Sequence, residues 1–166
     1  MPVTRLAKSA LVATIALIVS LATFGNITDY QTNLAFVQHV LMMDTVFPDA
    51  RIGYRAITNP LLHHAAYIIV IAAELLTAAL CWIGAIRMLR AIGGNPEAFT
   101  HAKRWSIAGL AFGFVVFQVA FIAIGGEWFV MWMSKSWNGI DSAFRFSMAT
   151  AVVLIFVAMP EDQSRT

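Results

Sequence analysis

Four long stretches of the chain contain few charged residues and are long enough to cross a lipid bilayer. A transmembrane helix needs about 20 mostly apolar residues, and such runs cover residues 6–25, 61–86, 105–124 and 140–159. The pattern therefore predicts an all-α fold, a four-helix transmembrane bundle in which consecutive helices run antiparallel.

The loop after the first span is predicted to contain an amphipathic interfacial helix over residues 33–47. Its apolar residues recur at helical spacing: Phe36, Val37, Val40, Leu41, Met43 and Phe47. Polar residues fill the positions between them, which is typical of a helix lying on the membrane surface, and Pro48 is expected to end it. Two interpretations stay open: the helix rests among lipid headgroups, or it covers a groove or binds a partner.

The first span also has features of a signal peptide. Arg5 and Lys8 precede its apolar core, and a small-x-small triplet occurs at Ser20-Leu21-Ala22. Because the apolar run is longer than the usual core of a signal peptide, we expect this segment to stay in the protein as a membrane helix.

Composition places the chain in the membrane. Of its 166 residues 60% are hydrophobic and 12% are charged, whereas soluble domains are about 25% charged. No segment is left that could fold separately as a soluble domain, so residues 1–166 are expected to form a single integral membrane domain. The net charge of +2 comes from scattered basic residues, which argues against nucleic acid as a partner and leaves the lipid bilayer.

Lysine and arginine in the short flanks of the spans predict the orientation, because they concentrate on the cytoplasmic side. One side has Arg5, Lys8, Arg87, Arg90, Lys103, Arg104 and Arg165. The other side has Arg51, Arg55, Lys135 and Arg145, accompanied by several acids. Both termini are therefore expected in the cytoplasm.

Residues 125–139, named here the aromatic cap, connect the third and fourth spans. They carry Glu127, Trp128, Trp132 and Trp137. Gly125 and Gly126 are expected to break the third helix. A soluble loop rarely exposes three tryptophans, so the cap should be buried in the membrane interface, in the protein or against a partner.

The sharpest functional clue is Glu74, a carboxylic acid in the middle of the second span. If Glu74 takes a core position of a heptad, most polar and small residues of that helix share its face: His63, Tyr67, Val70, Thr77, Cys81 and Gly84. A charged side chain facing lipid costs about 2.5 to 3.5 kcal/mol on insertion scales, so this face should point into the bundle.

Depth along the helices predicts the surroundings of Glu74. Counted from the outer end of each span at about 1.5 Å per residue, Thr14 and Thr150 lie nearest to it in depth, whereas Gln118 and Arg145 form a layer closer to the outer surface. Without a cation beside it, Glu74 is expected to be neutral. It then either fastens helices through a hydrogen bond or handles protons or a ligand.

Histidines offer a weaker candidate site. His39, on the interfacial helix, and His63 and His64, at the outer mouth of the second span, could together bind a metal ion. Adjacent residues point about 100° apart on a helix, so ordinary interfacial histidines are favoured. No metal and no cofactor are expected, and the single Cys81 excludes a multi-cysteine cluster within one chain.

The third span contains a Gly-x-x-x-Gly pattern at Gly109 and Gly113, which permits close approach of helices. Packing within the bundle is favoured over homo-oligomerisation. The chain shows no nucleophile triad, no paired catalytic carboxylates and no dinucleotide motif, so it is expected not to be an enzyme.

Several segments resemble a known family. Residues 26–30 read Asn-Ile-Thr-Asp-Tyr, residues 125–129 read Gly-Gly-Glu-Trp-Phe, and residues 137–139 read Trp-Asn-Gly. With the four spans and the acidic second helix, they resemble a family of predicted small bacterial integral membrane proteins of unknown function. The resemblance covers nearly the whole chain. It implies the four-span architecture and the bacterial inner membrane, and it supplies no activity.

Three functions from different classes therefore stay open. The leading one is a non-enzymatic accessory or scaffold component of a membrane complex, bound to membrane-protein partners or to further copies of itself. It fits the small soluble mass, the packing motif and the aromatic cap. The second is a small oligomeric proton-coupled transporter or channel that uses Glu74. The third is a membrane redox or metal-binding protein that uses the outer histidines.

Overall fold

The computed structural model describes residues 2–161. Helices make up 80% of the structure, and the described range contains no strand. Four helical segments are long and apolar enough to cross a membrane: Pro2–Thr28, Pro60–Arg90, Pro96–Trp128 and Ile140–Ala158. The predicted all-α architecture with four spans is confirmed.

The helices follow one another along the chain, and the longest connection, residues 43–59, precedes the third helix. In chain order they are α1 (Pro2–Thr28), α2 (Tyr30–Met42), α3 (Pro60–Arg90), α4 (Pro96–Ala102), α5 (Arg104–Val116), a π-helix (Phe117–Trp128) and α6 (Ile140–Ala158). Two short 3-10 helices, Gly53–Arg55 and Met131–Met133, lie in the connections before α3 and α6. Of these elements, α1, α3, the continuous run from α4 through the π-helix, and α6 provide the spans.

Side-chain contacts establish how neighbouring spans run. Tyr67 on α3 hydrogen-bonds the backbone near the end of α1, whereas Trp82, further along α3, donates to Ser20 in the middle of α1. The two helices are therefore antiparallel. The spans close into a ring in the order α1, α3, α5, α6, because α6 contacts both α5 and α1.

Small residues allow α3 and α5 to lie close together. A Cβ atom on Gly109 would lie 2.8 Å from the sulfur and 2.9 Å from the backbone nitrogen of Cys81. On Gly113 it would lie 2.7 Å from the Thr77 methyl carbon. Both glycines of the Gly-x-x-x-Gly pattern therefore face α3 of the same chain, and the close approach depends on their missing side chains.

Helix α2 differs from its predicted bounds at both ends. It begins at Tyr30, only two residues after α1 ends, and it ends at Met42. Met43 adopts the left-handed conformation with φ 54°, and its backbone N–H donates to the Val40 carbonyl. The expectation that Pro48 ends the helix is wrong, because a left-handed residue already stops it five positions earlier.

The third span contains the largest departure from expectation. Gly125 and Gly126 do not break the helix, which continues to Trp128 as a π-helix whose final bond runs from the Phe129 N–H to the Ile124 carbonyl at 2.9 Å. The glycines serve packing, since a Cβ on Gly126 would lie 3.2 Å from the Ile140 side chain. The chain turns only at Val130, which has φ 48°.

The end of the bundle opposite the aromatic cap, which holds both described ends of the chain, is held together by buried ion pairs. Lys8 and Lys103 lie 2.8 Å and 3.1 Å from the Glu161 carboxylate, and Arg5 lies 3.4 Å from it. Each lysine also donates to the Met159 carbonyl at 2.9 Å. Although Arg5, Lys8 and Lys103 were expected only as topology signals, they are buried and connect α1, the α4–α5 junction and the end of α6.

Short helix α4, which begins the third helical segment, was not expected, because the predicted third span starts only at residue 105. Its N-cap is Asn95, whose side-chain oxygen accepts a hydrogen bond from the Ala98 N–H at 2.8 Å, and Pro96 takes the first helical position. This Asn-Pro pair is a recognised start signal. The helix buries Phe99, which packs under the Arg5 guanidinium at 5.0 Å.

Candidate functional site

A cavity of about 580 Å³ lies between α1, α2, α3, the π-helix and the start of α6. This volume is within the range of small-molecule sites, about 300 to 1,000 Å³. Most of the wall is aliphatic or aromatic, with Phe36, Phe117, Phe121 and Phe146 among the rings. The cavity is therefore an apolar compartment within the bundle, here named the Glu74 cavity.

Glu74 is the only carboxyl group in the wall of this cavity. It is 3% exposed, and one of its oxygens, Oε2, accepts a hydrogen bond from the Asn26 amide at 2.8 Å. The Thr23 hydroxyl lies 3.4 Å from the same oxygen, but its single proton has a better acceptor in the Val19 carbonyl at 2.8 Å. Asn26 is therefore the main partner that α1 offers to the acid.

A second polar layer lies between Glu74 and the aromatic cap. The Tyr67 hydroxyl donates to the Asn26 carbonyl at 2.9 Å, so the same residue of α1 contacts both polar groups of α3. The Tyr30 ring lies 4.9 Å from the Tyr67 ring, and its hydroxyl is 2.9 Å from His64 Nδ1. Helix α2 is thereby fixed against the first turns of α3.

The structure does not bring the two depth-matched threonines to Glu74. Thr14 is exposed and donates to the Leu11 carbonyl of its own helix. Thr150 is buried, but its hydroxyl has no hydrogen-bond partner among the described residues. The prediction assumed that all helices end at the same level on the cap side. In the structure α3 extends beyond the end of α1 on that side, so Glu74 lies beside Thr23, near the end of α1.

Because of this stagger, Glu74 lies at the middle of α3 but close to the end of α1. The remaining polar candidates lie elsewhere: Thr77 donates to the Ala73 carbonyl, and the oxygen of the Gln118 amide is buried without a partner in the described chain. Arg145 is exposed and donates to the Asp141 carbonyl. Of the predicted polar residues, only Tyr67 and Glu74 line the cavity.

The cap side of the cavity is covered by α2 and the aromatic cap, which pack on each other. The Trp137 ring stacks on His39 at 4.4 Å, and the Phe36 ring approaches Gly139 closely enough that a Cβ there would lie 3.0 Å away. Phe129 and Met131 of the cap line the cavity directly. Helix α2 therefore lies over the cap side of the Glu74 cavity.

The cap's exposed side carries charged and aromatic groups. Trp128 and Trp132 are about half exposed, and Glu127 is exposed beside them. The Arg55 guanidinium lies 4.6 Å from the Trp128 ring and donates to its carbonyl at 3.1 Å. This contact ties the loop before α3 to the end of the π-helix.

The three candidate histidines have separate environments. His39 pairs with Asp44 at 2.7 Å, and His63 contacts the Ile57 carbonyl through Nε2 at 2.7 Å. His64 bonds Tyr30. Within residues 2–161 no group of three or more histidine, cysteine or acidic residues could hold a metal ion. The structure thus does not assemble the outer histidine site.

Two site residues, Asn26 and Thr23, escaped the sequence reasoning. Both occur near the end of an apolar run, where polar residues are expected at a membrane surface. Their spacing of three places them on one face of a helix, which is the signal that would have marked them once α1 was known to continue to Thr28. The arrangement offers a carboxyl oxygen to a largely apolar cavity.

Four spans around an apolar cavity define the chain as a small integral membrane protein. It belongs to the family described as predicted small integral membrane protein (DUF2165), whose model matches residues 4–160. The resemblance seen in the sequence is confirmed at this level, and the family is one of unknown function. No curated protein and no solved structure matches the chain.

Proposed function

We propose that this protein binds a small amphipathic molecule inside the membrane, in the Glu74 cavity. The observation that carries the proposal is a cavity of about 580 Å³ whose largely apolar wall contains one buried carboxyl group. Ligand sites typically combine an apolar wall with a few placed polar groups that orient the ligand. Glu74, Asn26 and Tyr67 supply the polar end here, and the phenylalanine rings supply the apolar one.

Binding does not replace the accessory or scaffold role expected from the sequence. A subunit that holds a small molecule in its own bundle keeps its lipid-facing surface free for membrane partners or further copies. Proton-coupled transport would use the same acid, and it adds the requirement of a route to both sides of the membrane. Binding is the step common to these alternatives, so it is the function to test first.

The test uses the full chain in lipid nanodiscs and a neutral apolar fluorescent probe, N-phenyl-1-naphthylamine. We expect saturable binding above the non-saturable partitioning seen in empty nanodiscs. Ala143→Phe should weaken binding by at least about tenfold, or 1.4 kcal/mol, because Ala143 lines the cavity and is 3% exposed.

The matched control is Ala149→Phe, which adds the same ring to an exposed position of the same helix. It should bind the probe as the unmodified protein does. Equal binding by the two variants would contradict the proposed site, and an absence of saturable binding in the unmodified protein would contradict the proposed function.

A further inference from the structure

We infer that the ligand of the Glu74 cavity is an organic cation with a bulky apolar body, neutralised by the Glu74 carboxylate. This inference rests on the proposed function and names its ligand class. It is argued from the Glu74 oxygen that accepts no hydrogen bond in the described chain, from the ion pairs of that chain, none of which involves Glu74, and from the aromatic part of the wall.

The two oxygens of Glu74 are used differently. Oε2 accepts the hydrogen bond from Asn26 and is the atom closest to Thr23. Oε1 accepts no hydrogen bond from the described part of the chain, although Glu74 lines the cavity. A carboxylate can accept several hydrogen bonds and binds cations through either oxygen. One oxygen is therefore held by the protein, and the other is left for the contents of the cavity.

The protein supplies no cation to this acid within residues 2–161. The ion pairs of the described chain lie at the far end of the bundle, around Glu161, and at His39. Two basic groups near the cap have other contacts: Arg55 lies over the Trp128 ring, and Arg145 is exposed and donates to its own helix. The carboxylate's charge is thus uncompensated by side chains, and a buried carboxylate needs a compensating positive charge to stay ionised.

The rest of the wall favours a cation whose charge is spread over an apolar body. Phe117 stacks on Phe121 at 5.2 Å and lies 4.1 Å from Phe146, so three rings form one aromatic wall. Aromatic faces attract cations, while a compact ammonium ion would lose its hydration in such surroundings. An anion would meet both the carboxylate and the negative faces of the rings, which excludes it on charge.

The experiment compares two ions of the same shape and opposite charge, tetraphenylphosphonium and tetraphenylborate, with the full chain in nanodiscs. We expect saturable binding of the phosphonium ion and none of the borate ion. Glu74→Gln should weaken phosphonium binding by at least about tenfold. Glu127→Gln, which removes the same charge from an exposed position in the aromatic cap, should leave it unchanged.

Binding of neutral N-phenyl-1-naphthylamine separates this inference from the proposed function. Gln keeps the length of Glu and an acceptor for Asn26, so Glu74→Gln should still bind the neutral probe, which also shows that the variant is folded. The cation inference is contradicted if the neutral probe binds but the phosphonium ion binds no better than the borate ion. It is equally contradicted if the phosphonium ion binds Glu74→Gln as well as the unmodified protein. In both cases the proposed binding site is retained. If neither probe binds, both proposals fall.

Discussion

Two acids of this protein have buried carboxyl groups with different kinds of partner. Glu161 lies among Lys8, Lys103 and Arg5, with the closest nitrogen at 2.8 Å. Burial alone would raise the pKa of the Glu161 carboxyl, but hydrogen bonds and attraction from the two lysines outweigh it and hold that pKa below its ordinary value. Glu74 has an amide and a hydroxyl in place of cations. The first acid is therefore suited to structure and the second to a ligand.

Replacing Glu161 by Gln should lower the free energy of unfolding by about 3 kcal/mol, because it leaves buried cations without their counter-charge. Denaturation of the detergent-solubilised protein measures this change. Glu97→Gln, at an exposed position of α4, is the matched control and should stay within about 0.5 kcal/mol of the unmodified protein. A Glu161→Gln variant as stable as the control would show that the cluster does not hold the bundle.

The same group predicts a pH dependence of stability. A carboxyl whose pKa is lower in the folded than in the unfolded protein contributes stability above its unfolded pKa and loses it as the pH falls through the folded one. The contribution of Glu161 should thus be constant from pH 8 to pH 5 and decline below about pH 4.5, its ordinary pKa. The difference in free energy of unfolding between the unmodified protein and Glu161→Gln, measured across this pH range, gives the contribution of Glu161. A stability difference between the two proteins that shrinks between pH 8 and pH 5 would contradict this prediction.

At this scale the sequence revealed the acid and not its partners. Glu74 is conspicuous because its neighbours are apolar. Thr23 and Asn26 become its partners only through the stagger of α1 and α3, a property of packing that no local pattern encodes. Lys8 and Glu161 are 153 positions apart, so their pairing was equally hidden, and the basic residues were interpreted by the topology rule alone.

At the scale of the helices, α3 and α5 can pack closely because glycines at their contact have no side chains. Gly109 and Gly113 of α5 face α3, and Gly84 of α3 faces α5 in the same way. A Cβ on Gly84 would overlap Ser106. Three glycines, one on α3 and two on α5, thus bring the two backbones together along most of α5. A Cβ added at Gly109 would meet the backbone nitrogen of Cys81 as well as its sulfur. Rotation of the Cys81 side chain alone could therefore not relieve the contact.

Gly109→Ala should therefore lower the free energy of unfolding by about 1 to 3 kcal/mol, the usual effect of overpacking. Gly25→Ala is the matched control, since a Cβ on Gly25 meets nothing within 4 Å, and alanine favours helix by up to about 1 kcal/mol. Thermal and denaturant unfolding of both variants in the same detergent give the comparison. An unchanged Gly109→Ala variant would mean that the two helices separate at little energetic cost.

The sequence predicted which segments form spanning helices, but it did not predict where the helices end or that one of them continues as a π-helix. Apolar length alone located the spans, because hydropathy accumulates over 20 residues. Gly125 and Gly126 misled the interpretation, since a glycine pair is a breaker in soluble loops but a packing site beside Ile140. The π-helix leaves no trace in composition. Asn95 and Pro96, in contrast, did carry the start signal of α4 and could have been used.

For the molecule as a whole, an even number of spans places the described start of α1 and the end of α6 at the same end of the bundle, where Arg5 and Glu161 meet. We expect this end in the cytoplasm of a bacterial cell and the aromatic cap outside, as the distribution of basic residues predicts.

Single cysteines in a Cys81→Ala background can measure this orientation. Ser136 in the aromatic cap and Thr100 on α4 are both exposed, so Ser136→Cys and Thr100→Cys should react equally after permeabilisation. In intact cells a membrane-impermeant maleimide should label Ser136→Cys and spare Thr100→Cys. The reverse labelling would overturn the predicted orientation.

The Glu74 cavity is confined to the cap side of the bundle. Every span contributes to the wall only from its half nearest the cap: residues 18–26 of α1, 66–74 of α3, 117–125 of the π-helix and 142–146 of α6. Ile18 and Ile69 belong to this wall and are exposed on the outside of the bundle. For the proposed binding function, we therefore expect the ligand to enter and leave sideways, from the leaflet on the cap side.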